Sequence, residues 1–162
     1  DGDILFAEFG LSGPAIMEIS REISIKTEEE TKEFGKTLSE SLMPGDVIAL
    51  IGDLGTGKTT LTKYIAEGLG VIENVNSPTF VIVKSYDGRL PLHHFDVYRL
   101  NEEESDMESA LYSIGFDEYV YGDGVSVIEW ADLIYDFLPE DTKYIFIEKG
   151  EKENERIYRC TF

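Results

Sequence analysis

The sequence predicts an α/β fold, a mixed and largely parallel sheet flanked by helices in three layers, and three observations carry that expectation. The apolar run Val47-Ile48-Ala49-Leu50-Ile51 is followed by a glycine-rich turn and then by Leu61, Ile65 and Leu69 on one helical face, which reads as strand, loop and helix in succession. A second apolar run, residues 125–129, reads as another buried strand, and it ends in the carboxylate of Glu129, with Trp130 following. Asp87-Gly88 sits between residues 81–86 and 90–98 as a hairpin signal. A chain of 162 residues suits one such domain rather than two, and 42% hydrophobic with 12% aromatic residues can fill an ordinary core.

The elements follow in order. Residues 1–16 carry Gly-Leu-Ser-Gly-Pro punctuation unlike the rest, and Met17 is an internal start candidate, so 1–16 is expected to be an extension and 17–162 a single domain. Ile19, Arg21, Ile23 and Ile25 alternate as in a strand with its odd positions buried. Thr27 is placed to cap a helix, with Glu30 completing a capping box, and Phe34, Leu38 and Leu42 form the buried face. After Pro44-Gly45 come the strand 47–51 and a helix 58–69, whose end Gly68 and Gly70 mark. Residues 74–78 read as a loop, 101–108 as an acidic helix start, 115–124 as a flexible connection and 131–138 as a short helix stopped by Pro139. Residues 144–147 and 157–160 read as two antiparallel closing strands around the charged turn 148–155.

The turn between strand and helix is Gly52-Asp53-Leu54-Gly55-Thr56-Gly57-Lys58-Thr59-Thr60, which has the spacing of a phosphate-binding loop in the context such a loop requires. Its glycines let backbone N–H groups face inward, and the helix that starts at Lys58 adds roughly half a positive charge at its N-terminus. Lys58 supplies a full charge for the β and γ phosphates, and the Thr59 hydroxyl is placed to ligate Mg²⁺. The domain is therefore expected to be P-loop NTPase-like, binding ATP with Mg²⁺ through residues 53–60.

Two later carboxylates are candidates to manage the metal. Asp96 ends the strand containing His93-His94-Phe95, and Glu129 ends the strand 125–129; strand C-termini line the crevice of an open α/β sheet. For Asp96, a simple pairing with Arg99 has comparable weight. Adjacent strand residues point to opposite faces, so His93 and His94 cannot easily share one ion. Ser77-Pro78-Thr79-Phe80 reads from spacing alone as a turn, yet its two hydroxyls lie where nucleotide switch loops occur. Trp130 reads as core or as a reporter beside Glu129, and Arg156 could reach a nucleotide, although sequence alone makes it a surface cation.

Fourteen Lys and Arg against 33 Asp and Glu give a net charge of −19, which repels polyanions. No basic cluster exists to neutralise nucleic-acid phosphates, so direct, tight tRNA or DNA binding is not expected. A nucleotide escapes this objection, because loop amides, Lys58 and a metal act at contact range while distant carboxylates are screened beyond about 8–10 Å. No apolar run approaches the roughly 18 residues that span a bilayer, and the only cysteine, Cys160, has no intramolecular partner; a soluble, unexported, cytoplasmic protein is expected.

Taken jointly, Gly-Asp-Leu-Gly-Thr-Gly-Lys-Thr-Thr, Ser-Pro-Thr-Phe, His-Phe-Asp-Val-Tyr-Arg-Leu and Ile-Glu-Trp-Ala, in this order, resemble the TsaE family over roughly residues 17–162. That family consists of small bacterial P-loop ATPases required for threonylcarbamoyladenosine formation on tRNA. The resemblance implies Mg²⁺-dependent ATP hydrolysis, association with TsaB and TsaD proteins, and a role in resetting that complex between turnovers, the RNA being held by a partner. By position it implies that Lys58 and Thr59 hold phosphate and Mg²⁺ and that Thr79 belongs to a switch-like loop. Asp96 and Glu129 would be the acidic groups, with Glu129 the preferred metal ligand, and Trp130 would be linked to nucleotide state. Thr27, with Glu28, would border the adenine pocket, and Thr56 stands where the family often has alanine. Two other classes stay open: a small-molecule kinase, for which only Arg89 and Arg99 in mid-chain could serve a lid, and a nucleotide switch that does not hydrolyse.

Overall fold

The computed structural model describes residues 17–78, 81–102 and 106–162. The expected extension 1–16, and Thr79 with Phe80, lie outside the described residues. The elements are β1 (Arg21–Ile25), α1 (Glu28–Ser41), β2 (Val47–Ile51), α2 (Lys58–Gly68), β3 (Val83–Tyr86), β4 (Leu92–Asp96), α3 (Met107–Ser113), α4 (Phe116–Val120), β5 (Val125–Glu129), β6 (Lys143–Lys149) and β7 (Arg156–Cys160). Two 3₁₀ segments, Tyr98–Glu102 and Ala131–Phe137, follow β4 and β5.

The seven strands form one sheet in the order β1-β7-β6-β2-β5-β4-β3. The central strands β6, β2, β5 and β4 run parallel, and β3, β7 and β1 add antiparallel edges. All five residues of β2 and of β5 are buried, which is why both read as continuous apolar runs rather than alternating ones. The closing strands are antiparallel as expected, β7 against β6, and β6 in turn joins β2 in parallel and carries the chain back beside the loop.

The pleat divides the core in two. Ile48 and Leu50 of β2, with Val125 and Val127 of β5, pack against Leu38 and Leu42 at the α1 side and Leu61, Ile65 and Leu69 at the α2 side. Val47, Ala49, Ile51, Phe95 and Ile128 face the other way, onto Leu111 of α3, Phe116 and Val120 of α4, and Ile134. Residues 115–124, expected as a connection, hold α4: Gly115 at φ 73° turns the chain, and Phe116 and Val120 bury one short apolar face.

Helix α1 starts as its sequence predicts. The Thr27 hydroxyl accepts from the Glu30 amide at 3.2 Å, while the Glu30 carboxylate reaches one residue further back, to the Lys26 amide at 3.3 Å. Gly68, expected as a helix end marker, is also a packing residue. A Cβ there would lie 2.8 Å from Ser39 Cβ and 3.1 Å from Lys36 Cα, so glycine lets α1 and α2 approach closely and seats α2 on the sheet.

Candidate functional site

Strand β2 delivers the chain to Gly52, and the loop enters α2 at Lys58. Gly57 has φ 99°, a conformation L side chains rarely adopt, and an added Cβ would meet nothing within 4 Å, so the space above it is open. Gly52 is required by packing rather than by ligand access: a Cβ there would sit 2.5 Å from the Ile147 carbonyl oxygen. No side chain caps α2 and no acid lies in its first turn, so its leading amides and positive end suit an anion.

Lys58 is 5% exposed, and its ammonium donates to the Gly52 carbonyl at 2.6 Å and the Asp53 carbonyl at 2.9 Å. It also lies 4.0 Å from the centroid of the Trp130 ring. Burial pushes the Lys58 pKa down, against the opposing pull of Glu129, Asp132, Asp96 and Asp53. Trp130 reaches this position from a backbone at φ 61°, the only positive φ at a non-glycine among the described residues, at a cost on the order of 1–3 kcal/mol.

The carboxylates arrive from the sheet. In parallel register Asp96 of β4 stands opposite Glu129 of β5, and both strands end there. Glu129, 3% exposed, accepts from the Thr59 hydroxyl at 2.9 Å on Oε1 and 3.0 Å on Oε2. His94 Nε2 lies 2.5 Å from Oε2 of the same carboxylate. Asp96 accepts from the Ser77 hydroxyl at 3.1 Å and from the Tyr98 amide at 3.0 Å, which fixes its carboxylate at the strand end.

A cavity of about 380 Å³ brings together the expected Leu54, Gly55, Gly57, Lys58, Thr59, Thr60, Asp96 and Glu129, and adds Ser77, Trp130 and Arg156. Thr59, Glu129 and Asp96 are all hard oxygen donors, which fits Mg²⁺. No group of three or more His, Cys, Asp or Glu side chains forms a ready-made metal cage among the described residues. Mg²⁺ needs none, since it commonly uses one or two carboxylates together with substrate phosphates. Thr27 stands apart: its hydroxyl caps α1, whereas Glu28, Thr31, Thr56, Gly57, Thr60 and Arg156 border a neighbouring cavity of about 170 Å³. Thr56 holds the loop, donating to the Asp53 carbonyl at 2.9 Å. Thr79 cannot be placed against the site, being outside the described residues.

The model of the family described as threonylcarbamoyl adenosine biosynthesis protein TsaE matches residues 25–158. The chain belongs to the TsaE family. This TsaE-family chain is 50% identical over 129 residues to the tRNA threonylcarbamoyladenosine biosynthesis protein TsaE of Bacillus subtilis, covering 78% of this chain and 77% of that protein. Against the protein of the same name from Treponema pallidum, identity is 42% over 132 residues, covering 82% and 94%. The solved crystal structure of YdiB from the same Bacillus superposes with a TM-score of 0.71 at 37% identity, covering 91% of this chain and 89% of that one.

Three residues of this TsaE-family site escaped the sequence reading. Arg156, read as a surface cation, donates from Nε to the Thr56 carbonyl at 2.8 Å and from Nη1 to the Glu153 carbonyl at 2.7 Å, so it braces the loop from β7. Asp132 lies near Lys58; burial pushes its pKa up, with Lys58 pulling it down, and its Oδ1 has no hydrogen-bond partner among the described residues. His94 reads from the sequence only as a candidate metal ligand. Its spacing of two from Asp96 placed it on the same strand face, and that was the available signal.

Proposed function

We propose that this chain is a Mg²⁺-dependent ATP hydrolase that supports threonylcarbamoyladenosine modification of tRNA by acting on a complex of TsaB and TsaD proteins. The observation that carries the reading is the meeting of Thr59, at the start of α2, with Glu129, at the end of β5, beside an uncapped helix N-terminus. The link to tRNA modification rests on the family and on the names of its relatives.

The residues divide the work. The loop amides and the α2 N-terminus bind the phosphates, and Lys58 exchanges the Gly52 and Asp53 carbonyls for phosphate oxygens. Thr59 and Glu129 would hold Mg²⁺, with Asp96 beside them; the ion would supply charge neutralisation to the phosphates. Water attacks the γ phosphorus, the bond to the β–γ bridging oxygen breaks, and ADP and phosphate leave. Asp96 and Glu129, acceptors at the cavity wall, orient that water. Arg156 and Thr56 keep the loop in shape while the phosphates change.

Lys58 gives two of its three N–H donors to carbonyls of its own loop, and that fits an enzyme that is slow alone and faster when a partner reshapes the site. The test is phosphate release from ATP with Mg²⁺, measured with and without TsaB and TsaD. Release that depends on Mg²⁺ and rises with the partners supports the reading. No release in any combination, or a phosphorylated acceptor in place of free phosphate, overturns it.

A further inference from the structure

We propose that His94 is a positioning residue that fixes the orientation of the Glu129 carboxylate through a hydrogen bond donated from Nε2. The inference deepens the proposed Mg²⁺-ATP site and rests on that reading.

Parity puts the imidazole there. Leu92, His94 and Asp96 lie on one face of β4, and Val125, Val127 and Glu129 lie on the matching face of β5, with His94 in register with Val127 and Asp96 with Glu129. His94 therefore stands one pleat below the two acids, and its ring reaches up to Glu129. It is fully buried, yet its Nδ1 has no hydrogen-bond partner among the described residues. The bond of Nε2 to Glu129 Oε2 is the polar contact this ring makes among the described residues. A carboxylate accepts, so Nε2 carries a proton and donates it. The other arrangement would strand a buried N–H donor, which costs more than a bare ring nitrogen.

Thr59 alone cannot set the carboxylate. Its hydroxyl is 2.9 Å from one Glu129 oxygen and 3.0 Å from the other, so it hardly distinguishes them. His94 bonds Oε2 only, which breaks the symmetry and opposes rotation of the carboxylate, on a residue that lines the cavity. Groups that hold metal-binding carboxylates in this way commonly change metal affinity or activity by about 10–100-fold when removed. A histidine buried merely to fill space would have no such effect on metal dependence.

Glutamine and asparagine separate the two roles, because a glutamine amide nitrogen can stand near the position of Nε2 and an asparagine nitrogen near that of Nδ1. In ADP binding titrated with Mg²⁺, His94→Asn should weaken the Mg²⁺-dependent part of the affinity by about tenfold or more. Its affinity without Mg²⁺ should be unchanged, and His94→Gln should restore most of the loss. In a Glu129→Ala background, His94→Asn should add nothing further. Equal losses in the Asn and Gln variants, or a full loss persisting in the Glu129→Ala background, would overturn the inference. Should either variant fail to fold, ¹⁵N NMR of the wild-type imidazole decides: a proton on Nε2 supports the proposal, and an Nε2 without one removes it. If wild-type affinity shows no Mg²⁺ dependence, the site reading and the inference fall together. If wild type depends on Mg²⁺ and His94→Asn matches it, the inference alone falls.

Discussion

Lys58 and Asp132 are both held where their charged forms are disfavoured, and the sign of each effect can be worked out. Burial lowers the Lys58 pKa, so the protonated side chain costs folded-state stability at neutral pH, a cost relieved only as pH rises through its lowered value toward the ordinary lysine range. Lys58→Met, which keeps the stem and drops the charge, should therefore leave the thermal midpoint at pH 7 unchanged or higher. Hydrolysis by the same variant should fall by about 10²-fold or more, by analogy with other lost transition-state donors. Scanning calorimetry beside a phosphate-release assay checks both halves, and a loss of activity matched by a loss of fold would contradict the role given to the charge. Asp132 is the mirror case. Its pKa is raised by burial, so its stabilising contribution is complete below the unfolded value of about 3.9 and is lost as pH rises through the raised folded value. Asp132→Asn should then gain stability at pH 7 relative to wild type and lose that advantage near pH 4, as read from urea midpoints at the two pH values.

At the scale of elements, local patterns were legible and the pairings between distant elements were not. The strand, loop and helix from Val47 to Gly68, the Thr27 cap and the strand ending in Glu129 stand where their residues put them, because each depends on neighbours within a few positions. The parallel seat of β6 beside β2 depends on a crossover that no local pattern encodes, and with it goes the placing of Arg156 against the loop. Helix α4 was hidden by the glycines on either side of it, although Phe116 and Val120 have helical spacing. Gly68 shows the same limit: a glycine near a helix end reads as a terminator, and only the packed neighbour reveals the close contact. Gly68→Ala should destabilise the protein by about 1–3 kcal/mol, as overpacking does, despite alanine's better helix propensity. Ser39→Gly removes the atoms that collide, so in that background the added cost of Gly68→Ala should shrink. Equal costs in both backgrounds, measured by chemical denaturation, would show that the helix contact is not the cause.

For the whole molecule the governing quantity is the net charge of −19. Unfolding spreads that charge out, so self-repulsion opposes the compact state, and added salt should relieve it. The surface ion pairs pull the other way, since salt screens Lys36 with Glu67 at 3.5 Å and Lys143 with Asp46 at 3.4 Å, but exposed pairs are worth only about 0–1 kcal/mol each. Repulsion among 33 acids outweighs them, so the thermal midpoint should rise as ionic strength goes from about 0.01 M to 0.15 M, where the screening length shrinks from about 30 Å to 8 Å. The same field acts on RNA. Tight tRNA binding needs phosphates neutralised by clustered cations, whereas the two cations that line the proposed site, Lys58 and Arg156, are bonded to loop carbonyls. A mobility-shift titration of this chain alone with tRNA at about 0.15 M salt should show no complex, and a complex should form only when the proposed TsaB and TsaD partners are added. Tight, salt-sensitive binding by the isolated chain would mean that a positive surface forms locally despite the overall charge, and the assignment of the RNA to a partner would fail.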